Sequence, residues 1–329
     1  MGSGKKPYFY FITFLRALAA IVITNSHYVG IYPTDMIANG GLLGDVMFFS
    51  VSGFCLASPK LPFYKWYPKR LWRIYVAVWI ITSVYALLGA YPIHSLSDAL
   101  ISFILPTKYH FIASITLLYL PLYFVAKYIK LSTKTYIKIG LALLAVQLLI
   151  YTIYYDTSYY HIDNVREPMI EFLFFQAMLL GLSFRRRCSS NLSMTKQERF
   201  TRVCLPFVLF GMLGVYFASK LLFVKNPSLS NFQILNQVIL FALLFILFIF
   251  AMKNEMSFRK LEGGIIWKII TFLSDHTLEI YLVQSVIIGF ILNIKLAFPL
   301  NWIVTTTMIL VAATILRWIS QKIVNHVNL

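Results

Sequence analysis

Ten stretches of this chain stay apolar for close to the length of a bilayer crossing. They run over about 8–28, 41–58, 71–90, 111–129, 134–155, 168–184, 203–224, 234–252, 277–294 and 299–320. A spanning helix needs about 20 such residues, because each advances only ~1.5 Å and lipid offers the backbone no hydrogen-bond partners. The repetition predicts an all-α, polytopic membrane protein of about ten transmembrane helices, forming a single integral domain over residues 1–329. The connections are too short to hold a soluble catalytic domain. Two segments fit no span. Residues 91–110 read as a loop carrying a short interfacial or re-entrant helix closed by Pro106, and 261–276 as an interfacial helix leading into the ninth span. Only 12% of residues are charged and 59% are hydrophobic, whereas a soluble domain is about a quarter charged.

A net charge of +17 raises the question of nucleic acid. The distribution of the charges argues against it. With the N-terminus inside, the outer loops hold only Lys108, Arg166, Lys220, Lys225 and Lys295, while almost all other Lys and Arg fall in inner loops. That asymmetry is the positive-inside signal and predicts both termini in the cytoplasm. Anionic headgroups are the default partner of the basic excess, and no nucleic acid is expected. The three cysteines, Cys55, Cys188 and Cys204, show neither paired nor metal-ligand spacing, so no metal is expected.

Within the first span, "FLRALAAIVITNSHYVG" places Arg16 and His27 in apolar surroundings. Ionisable groups inside a membrane are costly and ask for a reason. Eleven residues at about 100° each bring both side chains to one helix face, about 16 Å apart. The second span begins "GGLLGDVMFFSVSGFC" and sets Asp45 at the level of His27. A carboxylate beside a histidine fixes its tautomer and makes it a better base. Each residue alone has a plainer role: His27 as an interfacial polar group, Arg16 snorkelling to headgroups, Asp45 as a helix cap. The three together in one cavity favour chemistry. At the inner start of the third span, Arg70 and Arg73 lie three apart on one face, with Lys69 beside them. Lipid contact explains such charges equally well; as a site, they form a clamp for phosphates.

These motifs carry a resemblance. "RALAAIVITNSHY", with its R-x10-H spacing, then "GDVMFFSVSGF" and "RLWR", follow the order and spacing of the acyltransferase-3 family of integral-membrane O-acyltransferases. "YHFIASITLLYLPLYFV" and "FLSDHTLEIYLVQSVI" are similar to weaker family stretches, with Gln284 standing where many members have His. The resemblance implies transfer of an acyl group, most often acetyl from acetyl-coenzyme A, to a hydroxyl of a surface polysaccharide, a lipid-linked glycan or a small molecule. It implies a bacterial plasma-membrane location, His27 as catalytic base, Arg16 as needed for activity, and Arg70 and Arg73 near the donor. On this basis the expected catalytic residues are His27, Asp45 and Arg16. The donor is expected at Arg16, Lys69, Arg70 and Arg73, with Glu171 and Ser52 as acceptor-side contacts. Cys55 is a further, weaker candidate nucleophile. The rival function is a glycan or drug transporter or flippase, which would share the helical, apolar build. Transporters often show repeated halves, and no such repeat occurs in this chain.

Overall fold

The structure is a computed structural model that describes residues 8–105, 108–129, 132–164, 166–188 and 197–327. It is helical throughout these residues, with no strand among them. The helices are α1 (Tyr10–Ser26), α2 (Gly41–Cys55), α3 (Phe63–Leu87), α4 (Leu96–Phe103), α5 (His110–Tyr128), α6 (Thr133–Tyr154) and α7 (Pro168–Cys188). After these come α8 (Gln197–Lys225), α9 (Ile234–Lys253), α10 (Glu255–Lys260), α11 (Ile265–Asp275), α12 (Thr277–Ile294) and α13 (Leu300–His326), with one 3-10 turn over Pro227–Phe232.

Among the described residues, eight helices are long and apolar enough to cross a membrane: α3, α5, α6, α7, α8, α9, α12 and α13. The first two of the ten expected spans become shorter apolar helices, α1 with 17 residues and α2 with 15. The loop between them, residues 27–40, takes up the difference and is tied down locally. Asn25 donates to the carbonyls of Ile37 and Asn39, and the Gly30 N–H donates to Asp35. Gly40 turns the chain into α2 at φ +96°, a left-handed conformation that suits glycine.

The core sits where α2 lies between α1 and α7. Small residues bring these backbones together. A Cβ on Gly181 would stand 1.7 Å from the Ser50 carbonyl oxygen, and one on Gly53 would stand 2.0 Å from that of Met178. On the other flank, a Cβ on Gly44 would meet Ile23 at 2.6 Å. Without side chains between them, helices approach closely enough for extensive van der Waals contact, which drives association in lipid. Phe49 of α2 stacks on Phe174 of α7 with ring centroids 4.1 Å apart. The outlying helices α6 and α8 bury little of their surface inside the bundle.

The ends of α1 are fixed by residues far away in sequence. Glu255, at the start of α10, accepts from the N–H groups of Tyr10 (3.0 Å) and Phe11 (2.7 Å), so a carboxylate caps an N-terminus that has no cap of its own. The segment 261–276 contains α11, as expected, but that helix packs along α1, where Trp267 meets Tyr10 at 5.3 Å. The segment 91–110 contains α4, opened by a Ser95–Asp98 capping box and held to α3 by Tyr75 and Trp79 through the carbonyls of Ile104 and Phe103. Pro106 lies outside the described residues, as do Lys5, Lys6, Lys130 and Lys196.

Candidate active site

At the C-terminal end of α1 a cavity of about 380 Å³ opens between five helices. Its wall takes His27 from the end of α1, Asp45 from α2, Phe111 from α5, Tyr216 and Lys220 from α8, and Tyr281, Gln284 and Ser285 from α12. His27 follows the last residue of α1 and keeps helical dihedrals (φ −85°, ψ −9°), so the predicted common face with Arg16 is retained. Its ring is exposed to the cavity, and no protein group among the described residues hydrogen-bonds it. Asp45 is 6% exposed. The expected His27–Asp45 pair is not closed: both line the cavity, but no hydrogen bond or ion pair joins them.

The rim is more tightly bound. Lys220 pairs with Asp163 and donates to the Asn39 side chain at 3.1 Å. Arg166 donates to His110 at 2.9 Å. Glu171 is set apart from this cavity. Its carboxylate on α7 accepts from the Ser114 hydroxyl on α5, and it is not among the residues that line the cavity.

A second constellation forms toward the other end of α1. The positive charges of Arg16, Arg185 and Arg70, from α1, α7 and α3, all bear on Cys55 at the end of α2. Arg70 and Arg16 also bear on Tyr119, whose phenol faces the Ser52 hydroxyl. Ser52 therefore belongs with the arginines and is not in the wall of the His27 cavity. Aromatic rings support the cations: Arg185 sits 4.4 Å from the Phe9 centroid, and Arg70 5.8 Å from that of Trp66. Arg73 is exposed and bears on Arg70 through charge alone, while Lys69 is half-buried. Arg70 and Arg73, three residues apart on α3, keep an approximate common face, with Arg73 at its exposed side and its charge felt at Arg70, while Arg16 and Arg185 join Arg70 in bearing on Cys55. Glu279, 6% exposed at the start of α12, lies 3.9 Å from Arg317 and within the field of Arg16.

One helix thus carries a base candidate at one end and a shared cationic cluster toward the other. A family model described as an acyltransferase domain matches residues 9–320, nearly the whole chain and both constellations. The chain belongs to the acyltransferase-3 family. Comparisons with curated proteins and with solved structures give no match. With its eight long apolar helices, the protein is an integral-membrane acyltransferase, and its family implies an acyl donor and a hydroxyl acceptor.

Three features of this acyltransferase escape the sequence. Arg185 stands in a run with Arg186 and Arg187 that the sequence offers as an alternative phosphate clamp, but nothing in the run marks Arg185 out from its neighbours. The Glu255 cap joins residues some 245 positions apart. Gln284 is visible as a departure from the family pattern, but its surroundings appear only in three dimensions.

Proposed function

We propose that this acyltransferase moves an acyl group, acetyl first among them, from cytoplasmic acyl-coenzyme A to a hydroxyl acceptor that enters the His27 cavity. The observation that carries the proposal is the partition along α1: cations from three helices toward its start, and an unpartnered imidazole at its end. The basic residues concentrated at the arginine side favour a cytoplasmic position for it, and with it for both termini. A bacterial plasma membrane suits such an enzyme, with a surface polysaccharide or lipid-linked glycan as acceptor.

The roles follow from chemistry. Coenzyme A carries phosphates that cannot enter lipid, and arginine forks bind phosphate with charge-assisted hydrogen bonds. Arg70 and Arg185, with Arg16 deeper along α1, are the residues suited to hold them; Lys69 and Arg73 flank the entrance. The thin pantetheine arm then leads the thioester toward the His27 cavity. There the neutral imidazole takes the proton of the acceptor hydroxyl as its oxygen attacks the thioester carbonyl carbon. The C–O bond forms, the C–S bond breaks, and the imidazolium returns the proton to the departing thiolate. Asp45 stabilises the imidazolium through the cavity between them, and so acts as a positioning and electrostatic residue.

Membranes holding the protein and given radioactive acetyl-coenzyme A test this reading. Label should appear in the glycan or lipid fraction, and coenzyme A should protect Cys55 from maleimide in a protein whose Cys188 and Cys204 are replaced by Ser. Protection without any transfer would point to a coenzyme A-binding transporter. Transfer without protection would move the donor away from the arginine cluster.

A further inference from the structure

The cavity wall contains one group for which the acyl transfer above has no use. Gln284, on α12, is 1% exposed, yet neither its amide oxygen nor its amide nitrogen has a hydrogen-bond partner. Among the fully buried side-chain atoms of the described residues, Gln284 is the residue that contributes both of its polar atoms without a partner. Its polar neighbours are satisfied. The Tyr281 hydroxyl accepts from the Phe111 N–H at 3.3 Å, and the Tyr85 hydroxyl donates to the Leu282 carbonyl at 3.0 Å. A buried amide without partners destabilises the fold, and an apolar residue of similar volume would remove that cost. A site that retains the amide beside His27 and Asp45 is suited to a ligand that completes its hydrogen bonds.

We propose that Gln284 is a specificity-determining residue that grips the acceptor, selecting adjacent hydroxyls of a sugar-like polyol over a simple alcohol. The carboxamide offers one acceptor and one donor side by side. Oε1 accepts from one hydroxyl while Nε2 donates to the oxygen of its neighbour, which leaves the hydroxyl to be acylated near His27. An uncharged amide reads neutral hydroxyl groups and contributes little to holding an anion. This assignment rests on the acyl-transfer reading of the same cavity.

The test compares wild type with Gln284→Leu and Gln284→Met, both close in volume, using radioactive acetyl-coenzyme A and two acceptors, methyl glucoside and butan-1-ol. Transfer to methyl glucoside should fall about 10–100-fold, the effect of one or two lost hydrogen bonds, mainly through KM. Transfer to butan-1-ol should hold, and the ligand-free thermal midpoint should stay level or rise. Equal losses on both acceptors, or a midpoint lowered in both variants, would overturn the assignment and make Gln284 a structural residue. A wild type that labels the membrane glycan fraction but does not prefer methyl glucoside would also overturn it, while leaving acyl transfer intact. A wild type that labels nothing fails at the earlier step.

Discussion

Toward the start of α1, cations from three helices converge on Cys55, two of them bear on Tyr119 as well, and Arg70 and Arg185 lean on aromatic rings. At its end, His27, Asp45 and Gln284 share a cavity wall with almost no bonds among them. The first region is built of charge and supported by π-faces, as a site for a permanently anionic ligand should be. The second is built of groups that exchange protons or hydrogen bonds with a guest, and protein partners would compete with that guest. On the proposed reading, these different surroundings match a donor with fixed charges and an acceptor with labile hydroxyls.

Substitutions that separate the two regions break or sharpen the comparison, and the largest effect belongs to His27. His27→Ala should lower transfer by about 10²–10⁴-fold, the usual contribution of a general base, while leaving coenzyme A binding unchanged by calorimetry. Wild-type activity should fall as the medium is acidified through the histidine range, because only the neutral ring accepts a proton. Asp45→Asn should cost less than His27→Ala, because it alters a wall of the cavity and leaves the base itself in place. Loss of donor binding in His27→Ala would erase the distinction between the ends.

The next effect lies at the cationic end. Arg70→Ala and Arg185→Ala should each weaken coenzyme A by about 1.5–3 kcal/mol, the worth of a hydrogen bond to a charged group, with the rate at saturating donor little changed. A short thioester lacking the nucleotide should respond to neither variant, because it has no phosphate to lose. The smallest effect is assigned to Arg73→Ala. Its exposed side chain should contribute no more than the ~0.2–1 kcal/mol typical of surface charges. A loss as large as that of Arg70→Ala would restore the sequence-derived clamp of Arg70 and Arg73 in place of the three-helix cluster.

The helical fold was legible because lipid forces the backbone to satisfy itself, so hydrophobic length alone declares a span. The same rule overstated the lengths of the first two helices, whose apolar run continues into the 27–40 loop and is met there by α13: Asn301 donates to the Ile31 carbonyl, and Tyr28 meets Thr306 at 2.9 Å. The common face of Arg16 and His27 was legible too, since it depends only on helical period. The company each keeps was not. Arg185 reaches Cys55 because α7 crosses α2 at Gly53 and Gly181, and Glu171 turns to Ser114 because α5 packs beside α7. Periodicity fixes which way a side chain leaves its own helix; which partner it meets depends on how distant helices pack.

The crossing of α2 and α7 also decides which parts of the molecule can move. Where carbonyls of one helix rest against glycines of the other, neither can slide or roll without backbone striking backbone. The seam therefore acts as a keel, with Asp45 and Cys55 mounted at opposite ends of one stiff member. On the proposed reading a thioester arm threads from the arginines to the histidine, and any widening has to come from contacts away from this seam. Among these, α3 and α12 meet through side chains, with the Tyr85 hydroxyl bonded to the carbonyls of Leu282 and Val283. Side chains change rotamer far more readily than a backbone seam parts, so of these two contacts the one between α3 and α12 is the more easily opened.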